Sequence, residues 1–430
     1  MLMKVFYSIA LLMMVLVIIL VKGKGTALAF HEGGVGSCDA CHSMHSSPAS
    51  GGAALLKSVD PSSGCLLCHE QTGDAGPTGY HISTPSADMP PGSPPRQLTP
   101  GGDFGWLKKN YNWTPGATQP LSFSSGERHG HNIVAINNGY YADATNLTAP
   151  GGTFPASSLS CISCHDPHGR YRRNVDGSIS VAGTPIRGSG SYAASPDPDA
   201  GSSVGVYRLL GGRNFQPIEG SSALVFLNDP PFAVAPDTFN RSEAVTQTRA
   251  AYGAGMSEWC QNCHASIHSA ANPGLSNLLH PSGASAKLGF TRAGVYNTYL
   301  RTGDLSGTSD SSFLSLVPFE EGSRDYMTLK THARSDDTYL AGPDSTNAQV
   351  MCLSCHRAHA SAWDGMLRWN GKTDYIVYNG LYSQEGQPYQ PFGQGRTELE
   401  AQKAYYDRPA SKFGMSQDTL CNKCHNGVYP

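Results

Sequence analysis

The chain has few charged residues, and glycine and proline interrupt nearly every stretch that could become a long helix or strand. Charged residues make up 15 % of 430 residues, alongside 49 glycines and 29 prolines. These two residue types punctuate regular structure, which excludes a fold built from long elements. Such a chain would be suspected of disorder if it had no further apolar component to pack around.

Long apolar runs are absent after residue 29, so the rest of the chain is not expected to span a membrane. Before that point, Lys4 precedes a strongly apolar run from Val5 to Val21, and a small-x-small cleavage site ends at Ala29. We predict a signal peptide over residues 1–29 and a mature chain over residues 30–430, secreted to the cell outer surface. A retained anchor is the alternative, because the run approaches the roughly 18 residues of a membrane span.

The chain also has no excess of basic over acidic residues. The net charge is -3, and without the three lysines of residues 1–29 the mature chain has 27 basic residues against 33 acidic ones, or -6. Nucleic-acid binding rests largely on basic residues that neutralise phosphates, so this balance predicts no nucleic-acid partner.

Cysteine occurs in a single pattern. All twelve cysteines belong to six Cys-x-x-Cys-His motifs, numbered 1 to 6 in chain order: Cys38/Cys41/His42, Cys65/Cys68/His69, Cys161/Cys164/His165, Cys260/Cys263/His264, Cys352/Cys355/His356 and Cys421/Cys424/His425. The pattern is typical of covalent haem c, in which both thiols form thioethers and the histidine is the proximal iron ligand. A single pair could instead bind zinc or act as a redox dithiol. Six repetitions favour six covalently bound haems c and leave no cysteine for a disulfide.

Six porphyrins supply the apolar component that the amino acids lack. We predict a mostly irregular, loop-rich multihaem cytochrome c with short α-helices and few small β-hairpins. It forms a single elongated domain wrapped around a row of six haems. Helices are predicted from Ser242 to Tyr252, from Lys287 to about Arg301 and from Thr397 to Asp407.

Surface loops are predicted where proline and glycine cluster, at residues 85–100, 188–201 and 371–395. Asp197 and Asp199 lie in the second of these loops and could bind calcium. No EF-hand ligand series accompanies them, which favours a solvated acidic loop.

Ten histidines lie outside the motifs, which is enough to supply a second ligand to each of six haem irons. His45, His168 and His359 each follow a motif histidine by three residues, so each lies on the proximal side of its own porphyrin and is predicted to bind a neighbouring haem. The remaining candidates, in order of preference, are His131, His280 and His332, then His81 and His268, and last His31. His129 ranks last with His31 because His131 follows it so closely.

Methionine is another haem-iron ligand, but the seven methionines after residue 29 follow no pattern relative to the motifs. Histidine on both faces of every iron predicts low reduction potentials compared with methionine ligation. It also leaves no open coordination position, which favours electron transfer over catalysis.

Longer phrases surround the motifs. They include HISTPSADMPPGSPPRQLTPGGDFGW after motif 2, APGGTFPASSLSCISCHDPHG at motif 3, AYGAGMSEWCQNCH at motif 4 and MCLSCHRAHAS at motif 5. With FHEGG from Phe30 and LCNKCH at motif 6, this series resembles the outer-surface hexahaem c-type cytochromes of metal-reducing bacteria over essentially the whole mature chain.

The resemblance implies bis-histidine ligation and head-to-tail assembly into extracellular filaments with one continuous line of haems. It also implies that His45 reaches the haem of motif 5 (Cys352/Cys355/His356) in the next protomer, a heterologous contact that gives an open fibre. The chain departs from the family at Gln71, where a histidine is expected, and at His129, where a lysine is expected. Neither position is therefore predicted to be a ligand.

The predicted function is extracellular electron transfer along a homopolymer. Electrons would come from other cytochromes and leave to metal oxides or an electrode, with no catalytic residues and no enzymatic activity. Two alternatives stay open: a monomeric periplasmic electron shuttle, and a multihaem reductase of nitrogen or sulfur oxyanions. The reductase would need an iron with one vacant face.

Overall fold

Short helices and short strands joined by irregular segments make up the fold. The structure is a computed structural model that describes residues 38–43, 55–71, 76, 78–115, 119–218, 224–267, 280–382 and 393–425. Within these ranges the predicted loop-rich fold is confirmed. No helix in this part of the chain is both long and apolar enough to cross a membrane.

The described residues contain eight α-helices, and five of them coincide with or end in a motif. They are α1 (Cys38–Cys41), α2 (Pro61–His69), α3 (Met256–Cys260), α4 (Gly289–Thr298), α5 (Tyr326–His332), α6 (Cys352–Cys355), α7 (Glu398–Ala404) and α8 (Asn422–His425). Motif 3 instead forms a 3₁₀ turn at Cys161–Ser163. The other 3₁₀ turns are Ser86–Asp88, Phe104–Lys108, Gly126–His129, Ile136–Asn138, Ala156–Ser158, Tyr207–Leu209, Asp364–Met366 and Ala410–Lys412.

Ten strands of two to four residues form four small antiparallel sheets in the described ranges. They are β1 (Tyr111–Trp113), β2 (Ser122–Ser124), β3 (Arg172–Arg173), β4 (Ile179–Ser180), β5 (Val204–Gly205), β6 (Phe232–Val234), β7 (Ala251–Ala254), β8 (Tyr375–Tyr378), β9 (Leu381–Tyr382) and β10 (Gln417–Asp418). The pairings are β1–β2, β4–β3–β5, β6–β7 and β10–β8–β9. β8 and β9 form a hairpin, as the predicted fold class expects.

Two of the three predicted helices are confirmed. Thr397 caps α7 through a capping box, in which its hydroxyl accepts from the N–H of Glu400 and the Glu400 carboxylate accepts from the N–H of Thr397. α7 ends at Ala404, before the predicted Asp407, because Tyr406 and Asp407 adopt positive φ angles of 60° and 61°. α4 lies inside the predicted range of 287–301.

The helix predicted from Ser242 is wrong. The Ser242 hydroxyl accepts from the N–H of Ala244 in a local turn. The side chain of Glu243 lies inside the protein, where its carboxylate accepts hydrogen bonds from the Arg408 guanidinium and from the Ser315 hydroxyl. Tertiary contacts therefore override the local capping pattern. The loop predicted at 371–395 is also wrong in part, because it contains β8 and β9.

Buried apolar side chains form five separate clusters in the described residues instead of one continuous core. The largest includes Trp106, Trp363, Trp369 and Tyr405, and Cys355, Cys421 and Cys424 pack against it. Motif cysteines therefore lie beside protein core, at the edge where an attached porphyrin would extend the apolar surface.

Candidate functional site

Each motif forms a single helical turn. In motif 3 the N–H of His165 donates to the carbonyl oxygen of Cys161 at 3.0 Å. The same contact between motif histidine and first cysteine measures 2.8 Å in motif 1, 3.1 Å in motif 4, 3.0 Å in motif 5 and 3.1 Å in motif 6. Motif 2 ends α2. Since residues three and four apart share one face of such a turn, the two thiols and the imidazole of a motif point the same way.

The six motifs follow one another in space in the order of the chain. The first cysteines of motifs 2 and 3, Cys65 and Cys161, lie close together, and so do Cys260 and Cys352 of motifs 4 and 5. At the other junctions, the second cysteine of the odd-numbered motif lies near the cysteines of the even-numbered motif that follows it. These neighbours are Cys41 with Cys65 and Cys68, Cys164 with Cys263, and Cys355 with Cys421 and Cys424. The row therefore alternates between two kinds of junction.

Among the residues that the structure describes, four motif histidines face a second histidine ring. The ring centroids are separated by 6.3 Å for His42–His168, 6.4 Å for His165–His359, 6.1 Å for His131–His264 and 6.0 Å for His280–His425. Two imidazoles whose nitrogens each lie about 2 Å from one metal ion have their centroids about 6 Å apart. The spacing of these four pairs fits an iron between the rings.

The ring nitrogens are arranged for the same role. Nδ1 of His165 hydrogen-bonds to Arg208 O at 2.7 Å, and Nδ1 of His264 to Pro150 O at 2.8 Å. Further Nδ1 atoms contact carbonyl oxygens in the same way: His69 with Tyr80, His131 with Ala358, His280 with Pro281, His356 with Gly365 and His359 with Gly102. A metal-bound histidine usually donates its other N–H to such a carbonyl. In these rings Nε2 is the nitrogen that remains for a metal.

The paired histidines are held in the form that binds metal. Burial, together with the facing motif histidine, lowers the pKa of His359 to about 3 and that of His131 to about 4. Both imidazoles are therefore neutral near pH 7, as a metal ligand must be.

The pairing repeats with a period of two motifs, so that motifs 1–2, 3–4 and 5–6 form three units. The histidine three residues after an odd motif faces the odd motif of the preceding unit, as His168 does at motif 1 and His359 at motif 3. A histidine that precedes an odd motif faces the even motif of the same unit, as His131 does at motif 4 and His280 at motif 6.

His129 is enclosed by protein and has neither ring nitrogen available. Nδ1 contacts Trp106 O at 3.0 Å, and Nε2 contacts the Ser124 hydroxyl at 2.8 Å. Asp364 bonds to Ser124 and not to Nδ1 of His129, so the three side chains do not have the relay order of a catalytic triad. Burial and the neighbouring Arg396 lower the pKa of His129 to about 4.

The rings of two further candidates pack on tyrosines. His81 is 2 % exposed, and its ring packs on Tyr80 at 4.6 Å. Nδ1 of His332 bonds to the Glu321 carboxylate at 2.6 Å, and its ring stacks on Tyr339 at 4.0 Å.

His31, His45 and His268 lie outside the described residues.

Asp197 contacts the Lys330 ammonium at 2.9 Å, and the Asp199 carboxylate accepts from the N–H of Gly201 at 2.7 Å within a tight turn. No group of three or more acidic, histidine or cysteine side chains suited to a metal ion occurs in the described ranges. The solvated acidic loop stays a prediction.

The carbonyl oxygens that hold Nδ1 could not be found from the sequence, because any residue carries one. Two buried serines that contact the cysteines of a neighbouring motif, Ser62 and Ser257, were also missed. Their only sequence signal is a shared position three residues before the first cysteine of an even motif.

The chain is similar to known proteins over nearly its whole length, although no family model matches it. It is 52 % identical over 422 residues, 94 % of this chain and 96 % of the relative, to the C-type cytochrome OmcS of Geobacter sulfurreducens. A cryo-EM structure of the OmcS nanowires of that organism has a TM-score of 0.85 at 52 % identity and covers 93 % of this chain and 100 % of its own. A structure of the outer membrane cytochrome S filament of the same organism has a TM-score of 0.84 at 53 % identity, with the same coverage.

Proposed function

We propose, since the chain belongs to the c-type cytochrome family of OmcS, that it conducts electrons outside the cell through six covalently attached haems c and polymerises head to tail into a filament. One observation carries the proposal: six attachment motifs follow one another in chain order, and four of their histidines face a second imidazole at 6.0–6.4 Å. That is the spacing two ligands need across one iron.

The haem supplies the redox-active iron, and the chain supplies its position and its ligands. The cysteines of each motif fix the porphyrin edge covalently, and the carbonyl bonded to Nδ1 fixes the rotation of each imidazole. A second imidazole closes the remaining face against substrate. These residues favour passage of electrons, and we do not propose a reductase or another enzymatic activity.

The two-motif period supports a complete set of second ligands. His168 would serve motif 1, His359 motif 3, His131 motif 4 and His280 motif 6. The only histidine that precedes motif 1 is His31, so the rule for even motifs assigns it to motif 2. His31, which ranks last among the candidates from the sequence, thus becomes the expected second ligand of motif 2. The set does not include His81, His129, His268 and His332.

The same period supports the contact between subunits. Motif 5 has no following unit in its own chain, and among the described residues no second histidine ring faces His356. His45 is the histidine three residues after motif 1, and the rule directs it to the odd motif of a preceding unit. In a head-to-tail polymer that motif is motif 5 of the adjacent subunit.

Processing and partners belong to the same proposal. We infer that residues 1–29 are removed as a signal peptide and that residues 30–430 are exported as the haem-bearing chain. Other cytochromes would donate electrons, and metal oxides or an electrode would accept them. No nucleic acid takes part, and the acidic composition of the mature chain supports this.

Mass spectrometry and electron microscopy of the secreted protein test the proposal together. The expected mass is that of residues 30–430 plus six haems, with only low-spin ferric haem in the filaments by electron paramagnetic resonance. A mass without added haem would overturn the cofactor assignment. Six haems in a protein that stays monomeric would instead support the electron shuttle.

A further inference from the structure

Two buried serines connect neighbouring motifs in the same way. Ser62, the second residue of α2, accepts a hydrogen bond from the N–H of Cys161 at 3.1 Å. Ser257, the second residue of α3, accepts one from the N–H of Cys352 at 3.1 Å. Both serine side chains are fully buried. We call them the bridging serines.

The hydrogen bonds satisfy backbone groups that have no local acceptor. Cys161 and Cys352 each begin a helical turn, and the first N–H groups of a turn lack an acceptor within it. A serine three residues before the first cysteine of the preceding motif supplies that acceptor, so a side chain of one motif's helix holds the first cysteine of the next motif.

The bridging serines occur at one kind of junction. They lie between motifs 2 and 3 and between motifs 4 and 5, where the first cysteines of the two motifs are themselves in contact. In the described residues no side chain of motif 3 hydrogen-bonds directly to motif 4, and none of motif 5 does so to motif 6. Two unrelated stretches of sequence thus build the same contact.

We propose that Ser62 and Ser257 are positioning residues that hold motif 2 against motif 3 and motif 4 against motif 5, and so fix the separation of the haems attached there. The inference rests on the proposed function, because it concerns haems carried by those motifs. Without the hydroxyl, a buried N–H loses its acceptor, and the two cysteines are free to move apart.

Ser62→Ala and Ser257→Ala in the full haem-loaded chain test this role. The readout is circular dichroism of the Soret band, in which closely spaced haems give an exciton couplet that depends on their separation and orientation. Each variant is expected to lose couplet amplitude while retaining six haems by mass and low-spin spectra. The double variant is expected to lose about the sum of the two losses, because the two sites share no partners.

Ser163→Ala is the matched control. Ser163 is equally buried, but its hydroxyl bonds only to Ser158 and Ser160 next to its own motif. Ser62→Thr keeps the hydroxyl and is expected to keep the couplet. Bridging-serine variants with six haems and the couplet of Ser163→Ala would overturn the inference. A wild-type protein with fewer than six haems would instead overturn the proposed function. Because the two serines lie in different helices, a folding failure of one variant leaves the other as a full test.

Discussion

His359 and His129 lie close together, yet their ring nitrogens are used in opposite ways. Adjacent backbone links them, since the N–H of Ser361 donates to His129 O at 2.9 Å. His359 uses Nδ1 for a carbonyl and turns its ring toward His165, whereas His129 uses both nitrogens within the protein. The comparison teaches that a histidine whose two ring nitrogens are both hydrogen-bonded within the protein, as in His129, has none left for an iron, whereas His359 keeps Nε2 available.

The largest expected effect concerns a proposed ligand that serves another subunit. His45→Ala should abolish filaments completely while leaving six haems on each chain, because His45 lies outside the six attachment motifs. Electron microscopy and the mass of the secreted variant measure the two results. Fibres of normal appearance from this variant would refute the assignment of His45.

A ligand within one subunit should affect one haem in six. His359→Ala removes the second imidazole at motif 3, so one iron should become high-spin and bind carbon monoxide after reduction. Electron paramagnetic resonance and carbon monoxide titration measure this. His332→Ala is the control, because His332 contacts Glu321 and Tyr339 and should leave all six irons low-spin.

The assignment of His31 can be separated from that of His81 by the same spectra. His31→Ala should produce one high-spin iron at motif 2, since the two-motif period directs His31 to it. His81→Ala should produce none, because the two-motif period does not include His81 among the second ligands. The reverse result would show that the period of two does not extend to the first unit.

The smallest expected effect concerns the enclosed histidine. Burial and Arg396 lower the pKa of His129 to about 4, against about 6.5 in an unfolded chain. The unfolded state therefore binds a proton first on acidification. The stability associated with neutral His129 is present above pH 6.5 and is lost as the pH falls toward 4, by about 2 kcal/mol between pH 7 and pH 5.

His129→Gln should remove this pH dependence without changing the haem spectra. Unfolding by denaturant at pH 7 and pH 5 would show a smaller loss of stability for the variant than for the wild type. An equal loss in both proteins would mean that His129 does not titrate as its surroundings require. A new high-spin signal would mean that it is a ligand after all.

Local patterns predicted local structure well. The helical turns of the motifs and the start of α7 depend on neighbours within four residues, so Cys-x-x-Cys-His and the capping box at Thr397 were sufficient to find them. The helix predicted from Ser242 failed because the buried Glu243–Arg408 contact joins residues far apart in the chain. A short chain segment does not contain that information.

The same distinction between local and long-range information applies to the candidate site. The family resemblance is confirmed by the 52 % identity to OmcS, and the twelve cysteines could be read directly from spacing. Which histidine faces which motif could not be read, because His168 meets His42 across more than a hundred residues. Ligation itself stays a prediction for every histidine.

Under the proposed ligation, the backward pairing of His168 with motif 1, and of His359 with motif 3, would set an order for biogenesis. As the polypeptide is exported from its amino end, motif 1 would receive its second imidazole only after motif 3 has been synthesised, and motif 3 only after motif 5. Maturation would therefore always trail translation by one unit. The last odd motif of a free chain would complete its own coordination only when another molecule docks, which would leave each growing fibre with one chemically reactive tip.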